Sequence, residues 1–296
     1  MAVEIWDSLV AEAQFATELA LTGLRRLCSV PTEPDLGGMR SNDRNYSLHV
    51  GMYSYSSGLE RLCKLAIACN GYAATGEFPE LRNYNHRIGK LLDAVEGLIP
   101  AGPGTSMLKA KYLARPIDDL DPDLTNMVER FANGAGRYEY LDSLWKDNPE
   151  VITFNEWSAL AAKVSVSEEV LDLIGLKDAM AYAIEAELAD AGLESSSERV
   201  REDLAFPTYV PSVGVTMKLY RKIRWVSAIL DVATYYTSPG IPILGEVVSP
   251  TLTQSTVNFF RYDIVRIPDE EVVTEELEEV YKRIRKREAE DDDEDY

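Results

Sequence analysis

Histidine and cysteine are scarce in this chain, and their shortage removes several chemistries at once. Two histidines, His49 and His86, cannot build a histidine-rich metal centre. Three cysteines, Cys28, Cys63 and Cys69, are an odd number without a CxxC pair, so they read as buried free thiols and no metal site is expected. No stretch reaches the ~20 apolar residues that span a bilayer. The N-terminal MAVEIWDSLVAEAQF lacks the basic and apolar blocks of a signal peptide, which points to a cytoplasmic address and no membrane partner. A nucleophile elbow, a phosphate loop and an HExxH helix are all missing, so hydrolase, kinase-like and zinc-peptidase chemistry has no motif support and no cofactor is expected.

Positive charge is short as well. Thirty Lys and Arg face 50 Asp and Glu, for a formal net charge of −20. Seven of the acids crowd between Glu288 and Asp295, leaving −13 on everything before them. This balance argues against a broad nucleic-acid or anionic-membrane surface. An RNA contact has to be confined to a small basic groove or made with a partner's help. Residues 288–296 read as a disordered acidic tail suited to a basic protein partner.

What the chain has in quantity is helical periodicity. With 46% hydrophobic residues it can bury a sizeable core. Ile5, Leu9, Phe15, Leu19, Leu24 and Leu27 predict a first amphipathic helix ending before Pro31. A second helix is expected from Asn45 to Asn70, stopped by Asn70-Gly71. A third follows Pro79, with Leu91, Leu92, Val95 and Leu98 on one face, and pairs with the second as a hairpin. Thr105 to Ala114 fits a short fourth helix. IDDLDPDL lacks the central Gly and closing Glu of a calcium loop, so it reads as a helix start with Asp121 as cap and Pro122 in the first turn. Leu124 to Trp145 is helical with a break at Asn133-Gly134-Ala135-Gly136. Ser165 and Glu168 suggest a capping box, and Phe206 to Gly214 marks a loop. TMKLYRKIRWVSAILDVATYYT is strongly periodic. Residues 240–266, rich in Pro, Thr, Val and Ile, allow a short strand or an irregular segment. The expectation is an all-α multi-helix bundle with helical hairpins, one helical domain over 1–287.

Two constellations carry chemistry. If 81–92 is helical, Arg82 and His86 are four apart on one face, with the polar Asn83 beside them. An imidazole next to a guanidinium suits metal-independent RNA cleavage: His86 handles the proton and Arg82 stabilises the charge on phosphorus. Lys218, Arg221, Lys222 and Arg224 form a compact basic cluster, open to two readings: a solvated helix face, or an anion or RNA groove that binds substrate.

GLERLCKLAIACNGY followed by FPELRNYNHRIGKLL resembles the HEPN superfamily, helical domains of bacterial defence and toxin–antitoxin systems, over about residues 45–146. That resemblance implies a homodimer or higher homo-oligomer and an endoribonuclease using an Arg-polar-x-His motif. Here Arg82-Asn83 matches its start, but three residues separate Arg82 from His86 where the family has four to six. The later GAGRYEYLDSL offers Arg137 with no histidine after it. Two rivals stay open: a non-enzymatic interaction or scaffold module, and a self-assembling structural protein of a virus or mobile element.

Overall fold

Small residues bring the first two helices together. In the computed structural model, which describes residues 2–32, 41–98, 110–145, 152–168, 171, 186–192, 210–235 and 241–252, α1 (Ala2–Cys28) and α2 (Ser41–Thr75) make the largest helix–helix interface. A Cβ on Gly58 of α2 would lie 2.5 Å from the Ala20 amide nitrogen of α1, so the backbones approach as only glycine permits. Around this crossing Ala13, Ala16, Ala20, Leu24, Leu27, Leu48, Met52, Leu59 and Leu62 are buried.

Further helices are α3 (Ile88–Glu96), α4 (Asp121–Ala132), α5 (Glu139–Asp142), α6 (Thr153–Ala161), α7 (Val210–Thr234) and α8 (Leu244–Leu252). α7 packs on α1 and α2 and carries α8 with it, while α3 and α4 cover another side of α2. The fold is all-α, and no strand occurs among the described residues. Buried polar groups tie the helices at chosen points. Tyr55 Oη donates to the Leu219 carbonyl at 2.8 Å, Tyr220 Oη to the Thr251 carbonyl at 3.0 Å, and Trp157 Nε1 to Ser212 Oγ at 3.0 Å, which itself donates to the Val30 carbonyl. Each joins residues far apart in sequence, where a lost partner would leave a buried polar atom unsatisfied.

Several boundaries differ from the sequence expectations. α2 runs through Asn70-Gly71 to Thr75: Gly71 makes room for the Pro79 ring, and it is Gly76, at φ +79°, that ends the helix. The helix expected over 81–92 is instead a 3-10 turn at Arg82–Tyr84, a left-handed Asn85 at φ +48°, and α3 starting at Ile88. Asp121 is the first residue of α4, not its cap, and turns inward; the Asp118 side chain accepts from the Leu120 amide just before the helix. Residues 210–214 of the expected loop open α7, since Pro211 is tolerated in a first turn. In the 240–266 segment Leu244–Leu252 is helical, with Pro250 placed near its end; 253–266 lie outside the described residues. So do 105–109, 193–209 and the tail 288–296, while 110–113 form a 3-10 turn.

No helix among the described residues is long and apolar enough to cross a membrane.

Candidate functional site

His86 sits on the short link between the 3-10 turn and α3, and its ring meets α2. Nδ1 lies 3.0 and 3.1 Å from the two carboxylate oxygens of Glu60. Glu60 is buried on α2 and also accepts from Lys64 Nζ at 2.6 Å, one turn along the same helix. An ionised carboxylate only accepts, so Nδ1 is the donor, and Nε2 of the neutral ring keeps its lone pair. Nε2 has no hydrogen-bond partner among the described residues, and the side chain is 60% exposed.

The ring opens on a cleft of about 410 Å³ lined by α1 and α2. Glu12, Phe15 and Leu19 come from α1, Tyr53, Ser57, Glu60, Arg61 and Lys64 from α2, and Arg137 reaches in from the turn before α5. Arg61 Nη1 pairs with Glu12 at 2.6 Å, and its guanidinium lies 4.7 Å from the centre of the Phe15 ring. Arg137 is brought round by Gly134, whose φ of +94° reverses the chain after α4. Its guanidinium donates to the Phe131 carbonyl at 2.6 Å and the Ala132 carbonyl at 3.3 Å, and stacks 4.5 Å over the Tyr53 ring. Three cations and His86 thus face two carboxylates in a chain of net charge −20.

The expected site is only partly assembled. His86 is in the cleft; Arg82 and Asn83 do not line it, because the 3-10 turn and Asn85 break the shared helix face. The Arg82 side chain is 95% exposed, and its nearest acid is Glu80 at 4.0 Å. The basic cluster on α7 takes a different place from either reading. Lys222 and Arg224 are buried, not displayed on a surface. Lys222 forms an ion pair with Asp121 and donates to Thr125 Oγ1 at 2.9 Å. Burial pushes the Lys222 ammonium below its ordinary pKa, and Asp121 offsets this only in part. Lys218 donates to Asp118 at 2.6 Å, and the Arg224 guanidinium stacks 4.1 Å from Tyr112. Arg221, on the same helix, is half-buried. Arg115 extends the network, with Asp93 at 2.8 Å, Glu96 at 2.9 Å and Asp121 at 3.9 Å. These cations hold α3, α4 and α7 together.

The second histidine has a structural place. His49 Nε2 lies 3.0 Å from Glu139 and Nδ1 2.9 Å from the Asn45 carbonyl, with the ring between Phe131 and Tyr140. Glu139 also accepts the amides of Ile152 and Thr153 at the start of α6. Burial raises its pKa, but the hydrogen bonds from His49, Thr153 and Ile152 outweigh that and hold it at about 2.

A larger cleft of about 590 Å³ lies between α4 and α6. Its two cations pair with acids, Arg130 with Glu156 and Lys163 with Asp123, and Glu129 adds a third carboxylate, so no positive charge is in excess there to hold an anion. The His86 cleft is the chemically better site although it is smaller.

Glu60, Lys64, Arg61 and Glu12 belong to no motif in the sequence. The available signal was the Glu60/Lys64 pair at i, i+4 inside an otherwise apolar run. Comparison with family models, curated proteins and solved structures returns no match.

Proposed function

We propose that this chain is a HEPN-like helical protein that cleaves RNA at the α1/α2 cleft, in a bacterial defence or toxin system. The observation that carries the chemistry is the Glu60–His86 pair opening on a cation-rich cleft. Glu60 fixes the imidazole through Nδ1–H, in the way a buried carboxylate orients a catalytic histidine. Nε2 then takes the proton of an RNA 2′-hydroxyl, the 2′-oxygen attacks the adjacent phosphorus, and the 5′-oxygen leaves with a proton returned by the ring. Atoms balance as a 2′,3′-cyclic phosphate and a 5′-hydroxyl. Arg61, Lys64 and Arg137 stabilise the charge on the phosphoryl oxygens, the role that spacing alone suggested for Arg82. The bacterial setting and a homodimer rest on the sequence resemblance.

The test is cleavage of a labelled RNA in EDTA. Activity is expected to persist there and to fall roughly 10²- to 10⁴-fold in His86→Ala, the usual contribution of a positioned acid–base group, with helical content unchanged. Cleavage indifferent to His86→Ala rejects the site. RNA bound but never cut favours the interaction-module reading.

A further inference from the structure

The two aromatic rings of the cleft need a reason to be half in water. Phe15 is 50% and Tyr53 45% exposed, one on α1 and the other on α2, while the positions beside them in the helix crossing are fully buried. Each ring has a guanidinium against it, Arg61 at 4.7 Å from the Phe15 centre and Arg137 at 4.5 Å from that of Tyr53. The pattern is therefore ring with cation, twice, along one cleft that also holds Lys64 and His86. A simple anion would use the cations and leave both rings wet. An apolar ligand would cover the rings and strand the cations. A nucleotide uses both halves, with its base on the aromatic face and its phosphate on the adjoining guanidinium.

We propose that Phe15 and Tyr53 are stacking platforms for nucleobases, with Arg61 and Arg137 as the paired phosphate contacts. This rests on the reading of the cleft as a nucleic-acid site and adds the base subsites to it. A duplex keeps its bases inside, so only unpaired nucleotides fit the platforms. The same chemistry serves a strand or a free nucleotide.

The experiment is fluorescence anisotropy with a labelled ten-nucleotide RNA single strand, a duplex of the same sequence and free adenosine monophosphate as competitor, all on the full-length His86→Ala protein so that no substrate is consumed. Strand binding is expected to weaken roughly 5- to 150-fold in Phe15→Leu and in Tyr53→Leu, the span measured for single base–aromatic stacks. Tyr53→Phe keeps the ring and is expected to bind as the parent does. Both rings are half exposed, so unchanged thermal melts are expected to exclude unfolding as the cause. Monophosphate competing at the strand's own concentration supports the platforms and identifies a free nucleotide as the occupant. Equal affinity for duplex and strand, or leucine variants that bind as the parent does, overturns the proposal, whereas wild-type cleavage with such indifferent variants leaves the proposed function standing. Platform-dependent binding without any cleavage does the reverse.

Discussion

Gly58→Ala sets two effects of opposite sign against each other. Alanine gains about 1 kcal/mol over glycine in a helix interior by intrinsic propensity. At position 58, however, the new Cβ would stand 2.5 Å from the Ala20 nitrogen, 2.8 Å from its Cα and 2.9 Å from the Ala16 carbonyl oxygen. All three are backbone atoms of α1, so no rotamer change relieves the contact. Restoring a normal separation near 3.5 Å moves α1 outward by roughly 1 Å, and a gap of that size forfeits a quarter to a half of each van der Waals contact across it. For one buried leucine with ~50 contacts of ~0.15 kcal/mol, the loss is about 2–4 kcal/mol if every contact lies across the gap. Leu24, Leu59 and Leu62 are all buried around this crossing, and each loses only the part of its contacts, roughly a third to a half, that reaches the other helix, so about 3–4 kcal/mol is a fair gross cost. The net expectation is a destabilisation of about 2–3 kcal/mol, or a melting temperature lower by about 5 °C or more, by circular dichroism. Gly89→Ala is the control: its Cβ meets nothing closer than Glu129 Oε2 at 3.6 Å, so propensity wins and stability rises by up to about 1 kcal/mol. If Gly58→Ala melts at or above the parent temperature, the close-packed α1/α2 crossing is wrong.

Three further outcomes follow from buried groups. Lys222→Met leaves Asp121 buried without its ammonium and is expected to cost about 3–5 kcal/mol in urea unfolding, most of it recovered when Asp121→Leu is added; equal losses in single and double variants refute the pair. Glu139 has a folded pKa of about 2, below the ordinary 4.5, so its contribution is complete above about pH 5 and is lost as pH falls through 2. The shift corresponds to at most about 3 kcal/mol, and Glu139→Gln is expected to flatten that part of the stability–pH curve measured by urea midpoints. The Cys63 and Cys69 thiols are buried, and burial pushes them up, Cys69 to about 12, so a thiol-specific disulfide reagent is expected to label neither until the protein is unfolded; rapid labelling of either in the native protein contradicts their placement.

Much of the fold was legible in one dimension. The apolar spacing from Ile5 to Leu27 returned as α1, and the break at Asn133 to Gly136 falls between α4 and α5. Helix ends were less so: Asn70-Gly71 has the composition of a stop, yet the helix goes on to Thr75, and Gly71 instead makes room for the Pro79 ring that folds back on it. The site was half visible. His86 could be picked out by rarity alone, but its partner Glu60 lies 26 residues away on another helix. Arg82, four positions off, shares a face with His86 only in an unbroken helix, and Asn85 at φ +48° breaks it.

The sequence by itself determined the helices and the hydrophobic faces, since a 3.6-residue period is a property of the local chain. It also determined that histidine and thiol chemistry would be sparse. Which cations meet water was decided only in three dimensions. The dense run from Lys218 to Arg224 looks like the exposed patch, yet Asp118 and Asp121, about 100 residues earlier, draw Lys218 and Lys222 into ion pairs. Arg61, Lys64 and Arg137, scattered through the text of the chain, converge instead on one cleft with His86. Charge pairing depends on distances between helices, and those are set by packing at crossings such as Gly58 and Ala20, which no local pattern records.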